Sequence, residues 1–420
     1  MDIKQICKAN FNICVNFLEK LVACNSLSGN EKECAQTIKT FFEYHKIPCF
    51  TDSRGSLIAV SAPKEIKFNS VKEAITKAKH LNMPVIAYNA HMDVVSADNP
   101  NEWQSDPFKL TKRNGKLFGR GTCDMKGALA AMATSLVLMK DSDQKHKRAN
   151  LIIACFCTEE EVAEGLAFKN LFDEFELTPD AVILGEPSKM QIARGQRGKL
   201  EMIVETKGVC SHTSVPETAD NAAYKMARAL LAIEDLELEE RKTHTLAPEN
   251  IMQRTTIVGS AIKCYPQSKS FVPDKTEIHV TARLALGQTF NTISEKLKKH
   301  PLWPQAHSYC LIYRGKSYTG KDSYWPAEHS GWETKKEEQI FKLVFNTYEE
   351  LFGAAPKDKI WPFSTDGVYC AGQLKIPTLG IGPGHEEVAH INDEWVSEKE
   401  LLMALTLYCA IAYKALNIAS

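Results

Sequence analysis

The sequence predicts an α/β protein whose mostly parallel sheet is covered by helices and interrupted by a smaller α+β domain. Three short apolar runs predict buried strands, and helical patterns separate them: 85–90, 151–157 and 181–184. Strands that alternate with helices are typical of a parallel sheet with helices on both faces. Residues 377–382 add a further core strand near the end of the chain.

A change of pattern near residue 198 predicts the inserted domain. Apolar residues alternate with polar ones in 200–206 and again in 277–283, which indicates antiparallel strands with one solvated face. We therefore expect a catalytic domain made of residues 1–197 and 313–420, with residues 198–312 inserted into it.

The helices are predicted from apolar spacing and from capping residues. Ser28 with Glu31, and Ser397 with Glu400, have the spacing of a capping box at the start of a helix. The predicted helices follow Ser28 as far as Phe42 and cover 127–139, 221–233, 333–352 and 397–416. No function can be inferred from the sequence for the polar, Lys-rich stretch 65–82, which we interpret as a local insertion.

Composition narrows the possible functions. The 420 residues suit two domains, and 51 basic against 52 acidic residues give a net charge of −1. Without a basic excess we expect no nucleic-acid partner, and without an apolar stretch of about 18 residues we expect no membrane span. Thirteen cysteines without regular spacing, and a charged N-terminal segment, favour a reducing cytoplasm over secretion.

Charged or imidazole side chains follow the predicted strands, where the carboxyl ends of parallel strands meet. They occur at five places: His91 with Asp93, Asp124, the run Glu159–Glu161, Glu186 and His390. Converging carboxylates repel one another unless a cation neutralises them, and zinc is the usual occupant of mixed His and carboxylate sites. Two ions about 3.5–4 Å apart would suit five ligands that share one carboxylate.

Simpler interpretations exist for each residue alone, and other catalytic schemes fit less well. A single His at a strand end is usually structural, and an acidic triplet is usually solvated. These acids follow apolar strands, where an unpaired carboxylate is costly. No G-x-S-x-G motif occurs, Gly315-Lys316-Ser317 lacks the first glycine of a phosphate loop, and His385 and His390 are five residues apart, too far round a helix for a zincin motif.

Seven motifs resemble those of the zinc-dependent amidohydrolases, a family that includes acetylornithine deacetylase, succinyl-diaminopimelate desuccinylase, aminoacylase and glutamate carboxypeptidase. They occur in the family's order and cover almost the whole chain. The motifs are A-H-M-D-V-V at 90–95, W-Q-S-D-P-F at 103–108, L-F-G-R-G-T-C-D-M-K-G at 117–127, T-E-E-E at 158–161, G-E-P-S at 185–188, G-V-C-S-H-T-S at 208–214 and G-P-G-H-E-E-V-A-H-I-N-D-E-W at 382–395.

The resemblance implies a zinc-exopeptidase-like catalytic domain that binds two zinc ions, for which cobalt can substitute. His91 and Glu186 would hold the first ion, and Glu161 and His390 the second. Asp124 would be the carboxylate that bridges them.

The resemblance also assigns the general base, with one ambiguity in the glutamate run. Glu160 would be the base, next to the ligand Glu161. The family usually has D-E-E where this chain has three glutamates, so base and ligand could instead be Glu159 and Glu160. We prefer the first assignment because Thr158 and Val162 then flank the motif as they do in the family.

Three more residues receive roles from the family. Asp93 would orient the ligand imidazole of His91. His212 would reach from the inserted lid and dimerisation domain into the partner's active site and stabilise the oxyanion, so a homodimer is implied. Arg283 would bind the substrate carboxylate, although Ser270-Phe271-Val272 replaces the residues that usually precede the Pro-Asp pair.

The implied reaction is hydrolysis of the amide bond of a small N-acyl amino acid, with no nucleic-acid or membrane partner. The motif at 185–187 resembles that of the deacetylase and desuccinylase branch, and the motif at 382–394 is more like that of acetylornithine deacetylase. This resemblance predicts N-acetylornithine, a substrate of arginine biosynthesis, as the compound cleaved to ornithine and acetate. Succinyl-diaminopimelate, other acyl amino acids and dipeptides remain alternatives. A non-catalytic binding member of the family is a more remote one.

Overall fold

The computed structural model describes residues 2–142, 148–245, 247 and 251–416. Its strands, in chain order, are β1 (Cys49–Thr51), β2 (Leu57–Ser61), β3 (Val85–His91), β4 (Thr111–Arg113), β5 (Lys116–Phe118), β6 (Leu151–Cys157), β7 (Ala181–Leu184), β8 (Ile192–Gln196), β9 (Gly198–Lys207), β10 (Thr256–Tyr265), β11 (Lys275–Leu284), β12 (Ala306–Cys310), β13 (Ile312–Lys316), β14 (Asp322–Pro326), β15 (Glu328–His329), β16 (Trp332–Glu333), β17 (Asp358–Trp361), β18 (Thr378–Gly380) and β19 (Trp395–Ser397).

Helices cover both faces of the larger sheet. They are α1 (Ile3–Ala9), α2 (Phe11–Val22), α3 (Lys32–Tyr44), α4 (Val71–His80), α5 (Gly127–Ser142), α6 (Leu166–Phe175), α7 (Ala222–Thr243), α8 (Phe290–Lys298), α9 (Gln339–Phe352) and α10 (Glu398–Ile411). Apolar side chains of α2, α3, α5, α9 and α10 form the core on one face, whereas α4 and α6 pack on the other. None of the helices in these described ranges is both long and apolar enough to cross a bilayer.

The larger sheet has nine strands in the order β1-β2-β6-β3-β7-β18-β8-β16, with β17 beside β8. The four central strands β6, β3, β7 and β18 run parallel, and β17 is parallel to β8. Antiparallel pairings occur outside this centre, where β1, β2, β8 and β16 lie. The predicted parallel sheet is therefore present at the centre of a mixed sheet.

A second sheet forms the inserted α+β domain, in the order β10-β11-β9-β12 with β15 also pairing with β9. Every pairing in it is antiparallel. The helices α7 and α8 cover one face, and their side chains share a core with the strands. The fold class predicted from the sequence is thus confirmed, while the boundaries at 197/198 and 312/313 stay a prediction, since β15 joins this sheet after residue 312.

Two helix starts differ from the prediction. Helix α9 begins at Gln339 rather than at residue 333, because Trp332–Glu333 pairs with β8. Helix α3 begins at Lys32, since Ser28 is not its cap; the Ser28 hydroxyl donates to the Asp93 carboxylate at 2.7 Å. The capping box predicted there is therefore wrong, whereas the Ser397 hydroxyl does accept the Glu400 amide of α10.

The Lys-rich stretch 65–82 contains a helix of the fold. Most of it is α4, whose buried face consists of Val71, Ala74, Ile75 and Ala78. These side chains belong to the core beneath the larger sheet. Burial of that apolar face gives the stretch a structural role that its polar composition concealed.

Candidate metal centre

The parallel strands deliver four of the predicted site residues to one edge of the larger sheet. His91 is the last residue of β3, and Glu160 and Glu161 follow the end of β6. Glu186 follows β7, which pairs with β3 on the other side. Because all three strands are buried and parallel, their carboxyl ends bring these side chains together, as the sequence predicted.

Asp124 reaches the same place from a turn that Glu394 holds. The turn runs through Thr122–Lys126 immediately before α5. One carboxylate oxygen of Glu394 accepts the amides of Cys123 and Asp124 at 2.8 and 2.9 Å, and the other accepts the Gly121 amide at 3.0 Å. Glu394 is buried and is held in turn by Arg120 at 2.8 Å. Glu394 therefore fixes the main chain on which Asp124 lies.

Asp124 lies between two histidines and presents a different oxygen to each. Its Oδ1 is 3.1 Å from Nε2 of His91, and its Oδ2 is 3.0 Å from Nε2 of His390. On the His91 side, Oε1 of Glu186 lies 3.8 Å from the same ring nitrogen. On the His390 side, Oε1 of Glu161 lies 3.3 Å from the ring. The arrangement has two halves that share one carboxylate.

Glu160 lies close to the first half. Its Oε2 is 3.9 Å from Nε2 of His91, and its carboxylate is buried. The ligand atoms of His91, Glu160 and Glu186 lie within 4.8 Å of one another, and so do those of His91, Asp124 and Glu161. The structure thus brings together the five predicted ligands and the predicted base.

Asp93 contacts three residues of the cluster, His91, Glu160 and Glu161. Its backbone carbonyl is 3.0 Å from Nδ1 of His91, and its carboxylate oxygen is 3.5 Å from the same atom. The two carboxylate oxygens accept the backbone amides of Glu160 and Glu161 at 3.2 and 3.1 Å. Asp93 therefore contacts both the imidazole and the glutamate backbone, and its role in orienting a ligand imidazole stays a prediction.

Glu159 points away from the cluster. Both of its oxygens are engaged, Oε2 with Nη2 of Arg54 at 2.6 Å and Oε1 with the hydroxyl of Ser323 at 2.5 Å. Arg54 and Glu159 are both buried. Of the two alternatives for the glutamate run, this geometry leaves only Glu160 and Glu161 facing the histidines.

Burial and mutual charge shift the pKa values of the cluster in opposite directions. Burial raises the pKa of Glu160 and of Glu186 well above the usual range. Burial also opposes charge on Asp124 and His91, but hydrogen bonds with His390 and His91 lower the pKa of Asp124, and the hydrogen bond with Asp124 raises the pKa of His91. Hydrogen bonding to Asp124 raises the pKa of His390 to about 10. The surroundings of Glu160 and Glu186 therefore oppose their negative charge unless a cation is present.

These shifts and one buried oxygen fit a site for divalent cations. Oε1 of Glu161 is buried and makes no hydrogen bond of good geometry within the described residues, although His390 lies 3.3 Å away. Metal ligands must be deprotonated. A bound dication can replace the protons that link the carboxylates and imidazoles of this cluster. Imidazole and carboxylate donors in this mixture suit zinc.

A cleft of about 340 Å³ opens over the cluster, and Arg283 lines its other side. Arg283 lies on β11 of the inserted domain, and its Nη1 is buried without a hydrogen-bond partner in the described part of the chain. A guanidinium with a free donor suits a carboxylate ligand. Arg283 therefore lines the cleft, and its role as a substrate contact stays a prediction.

His212 does not join this site within one subunit. Its ring is exposed, with Nδ1 2.7 Å from the Ser214 hydroxyl and the Phe271 ring 6.4 Å away. It is not among the residues that line the cleft. Its predicted role in a partner's active site stays a prediction.

Sequence reasoning missed two residues that line the cleft, Glu164 and Lys199. The Lys199 ammonium is 2.8 Å from one oxygen of Glu164, and Nε2 of His329 is 3.1 Å from the other. Glu164 follows β6, whereas Lys199 and His329 belong to the second sheet. Only the tertiary fold brings them together, because the register that places Lys199 opposite Arg283 is a property of the folded sheet.

Comparison with known sequences matches this chain to one protein family. A sequence model of the peptidase family M20/M25/M40 matches residues 87–414. The uncharacterized protein YgeY of Escherichia coli (strain K12) is 29% identical over 333 residues, which cover 78% of this chain and 80% of that protein. A probable succinyl-diaminopimelate desuccinylase of Staphylococcus aureus (strain Mu50) is 31% identical over 211 residues, covering 50% of this chain and 48% of that protein.

Comparison with solved structures supports the fold. Aminopeptidase PepT from Bacillus cereus matches with a TM-score of 0.69 at 18% identity, covering 96% of this chain and 98% of that one. The YXEP protein of Bacillus subtilis, described as a dinuclear metal binding peptidase from the M20 family, matches with a TM-score of 0.65 at 14% identity, covering 97% and 98%. At these identities the likeness concerns the fold alone.

Proposed function

We propose, from the premise that this chain belongs to the peptidase family M20/M25/M40, that it hydrolyses the amide bond of a small N-acyl amino acid. Membership confirms the family resemblance of the motifs and makes the protein a metal-dependent hydrolase. The observation that carries the proposal is the position of Asp124, with one oxygen beside His91 and the other beside His390.

The proposed metal ligands follow from that position. His91, Asp124 and Glu186 would hold one zinc ion, and Asp124, Glu161 and His390 the other, with cobalt able to substitute. When bound, such ions polarise a carbonyl and lower the pKa of a coordinated water towards about 7. A divalent pair would also neutralise the carboxylates that are buried together here.

Glu160 is proposed to move the proton. It takes one proton from the attacking water as the oxygen–carbon bond forms at the amide carbonyl. It then gives that proton to the amide nitrogen as the carbon–nitrogen bond breaks, so a carboxylic acid and an amine leave. Two contacts support this assignment: Asp93 fixes the Glu160 backbone, and Glu159 is held by Arg54.

Arg283 is proposed to bind the substrate carboxylate, and His212 to stabilise the oxyanion in the active site of a partner subunit. The inserted domain offers a surface for a homodimer, since β10 is an edge strand of its sheet. On this strand Val258 and Ile262 are 56% and 53% exposed. Exposed apolar residues on an unpaired edge favour pairing with another chain.

N-acetylornithine and succinyl-diaminopimelate are the two named substrates that this proposal includes, together with other acyl amino acids and dipeptides. A reducing, cytoplasmic location is part of the same proposal. It is supported by the thirteen cysteines, all of which are free thiols.

The test is acetate or amine release from a panel of N-acyl amino acids and dipeptides by protein loaded with zinc or cobalt. We expect turnover that stops after exhaustive chelation and returns when either metal is added. Hydrolysis that survives complete metal removal would contradict the proposal. Tight binding of the same compounds without any cleavage would favour a non-catalytic member of the family instead.

A further inference from the structure

The inserted domain contributes two basic side chains to the wall of the cleft. Lys199 on β9 and Arg283 on β11 are directly opposite each other in the antiparallel register, and both line the cleft. Like charges on opposite residues of neighbouring strands repel each other unless an anion lies between or beside them. Burial, together with the nearby charge of Arg283, also lowers the pKa of Arg197.

Glu164, which also lines the cleft, already has its partners. Glu164 is buried, and its two oxygens lie 2.8 Å from the Lys199 ammonium and 3.1 Å from Nε2 of His329. Although burial opposes it, the hydrogen bond from His329 and the charge of Lys199 lower the pKa of Glu164 to about 2. Glu164 is therefore charged and fully compensated by groups of the protein.

The other acid outside the proposed ligands and base is paired as well. Glu386 lines the cleft, and its carboxylate forms an ion pair with Lys359, with both side chains about one fifth exposed (18% and 20%). The remaining residues that line the cleft are neutral: Pro187, Phe363, Ser364 and Ala389.

We propose that this cleft selects N-acyl amino acids with a neutral side chain and rejects those with a cationic one, an inference that rests on the proposed function. A substrate ammonium in the cleft would find no unpaired acid among the described lining residues outside the metal cluster, because Glu164 and Glu386 already have cationic partners. Removing an ammonium from water without an anionic partner is costly, whereas an alkyl side chain can contact Phe363 and Pro187. The α-carboxylate remains for the free donor of Arg283.

By this inference, N-acetylornithine is less favoured than acyl amino acids with a neutral side chain. N-acetylornithine carries a primary ammonium at the end of its side chain, so we expect it to be a poor substrate. N-acetylnorvaline has the same carbon chain without that amine. The two compounds differ by that terminal ammonium group, so N-acetylnorvaline presents a neutral side chain where N-acetylornithine presents a cation.

The experiment compares kcat/KM of the metal-loaded protein for N-acetylnorvaline and N-acetylornithine. We expect norvaline to be favoured by at least about 10-fold, the lower end of what burying a polar group without its partner costs. The variant Lys359→Met should free Glu386 and raise kcat/KM for the ornithine compound, with little change for norvaline. The double variant Lys359→Met/Glu386→Gln should lose that gain.

Equal or better cleavage of N-acetylornithine by the unaltered protein would overturn the inference while leaving the proposed function intact. A Lys359→Met variant that folds, cleaves norvaline normally and shows no gain with ornithine would overturn the part assigned to Glu386. If metal-loaded protein cleaved no acyl amino acid at all, the proposed function would fail and the inference with it.

Discussion

Arg54 and Glu159 form a buried ion pair, with Nη2 of the arginine 2.6 Å from Oε2 of the glutamate. The pair joins the loop before β2 to the first residue of the glutamate run after β6. Ser323 of the hairpin β13–β14 donates to the other oxygen of Glu159. Because Glu159 is held in this way, the next two glutamates are turned towards the histidines.

Arg54→Met should therefore destabilise the protein by about 3–5 kcal/mol, because it leaves the Glu159 carboxylate buried without its cation. The double variant Arg54→Met/Glu159→Gln should recover much of that loss, since a neutral amide can still contact Ser323. Urea unfolding of the wild type, both single variants and the double variant measures the coupling. Additive effects of the two changes would contradict the pairing.

Glu160→Ala should keep its metal and lose turnover by about 10²-fold or more, the usual range for a general base. Glu159→Gln is the matched control from the same run and should lose much less activity when compared at equal folded fraction. Metal content by elemental analysis and kcat on the best substrate provide the two readouts. The opposite ranking of the variants would assign the base to Glu159.

Most of the metal cluster could be predicted from the sequence because four of its residues lie at or just after the carboxyl ends of predicted strands. The apolar runs before His91, Glu160 and Glu186 are buried strands, and parallel strands bring their carboxyl ends to one edge. Asp124 and His390 were predicted from the family motifs instead. Their positions depend on a turn held by Glu394 and on a loop after β18, and neither has a periodic pattern.

Contacts between distant segments could not be predicted in the same way. Ser28 has the local spacing of a helix cap, but its hydroxyl binds Asp93, because a buried carboxylate needs donors more than this helix needs a cap. Glu333 was expected to begin a helix, yet Trp332–Glu333 pairs with β8 and is held in a strand. The pairing of Lys199 with Glu164 likewise requires both domains to be in place.

His91→Ala should lose both activity and metal, since its Nε2 lies within reach of Asp124 and Glu186. His385→Ala is a suitable control, because His385 is a nearby histidine whose Nε2 contacts Glu400 at 2.9 Å rather than the cluster. Elemental analysis after dialysis should show clearly less metal in His91→Ala than in the control. An unchanged metal content would refute the assignment of His91 as a ligand.

The free energy of unfolding should depend on pH through Glu31, and the variant Glu31→Gln should lose that dependence. Burial, together with the nearby charge of Asp93, raises the pKa of Glu31 to about 7 from the ordinary 4.5. The folded protein therefore holds this proton more tightly than the unfolded chain does, and the resulting stability is lost as the pH rises through about 7. Its Oε1 accepts the amides of Gly29 and Glu159, which a glutamine oxygen can also do.

Between about pH 5 and pH 8, the free energy of unfolding of Glu31→Gln should therefore rise relative to wild type by about 2–3 kcal/mol. Urea unfolding of both proteins at the two pH values measures this difference. A difference that stays constant with pH would show that Glu31 keeps an ordinary pKa in the folded protein.

His212 provides a test of the proposed dimer, because its exposed ring lies outside the cleft of its own subunit. His212→Ala should leave stability unchanged and lower kcat by about 10²–10³-fold, the usual effect of losing one oxyanion donor. A heterodimer of one His212→Ala subunit and one Glu160→Ala subunit contains one intact active site if His212 acts across the interface. Co-expression with two different tags and tandem purification should then yield about half of the wild-type activity per dimer. Activity no higher than that of the parent variants would exclude the cross-subunit role.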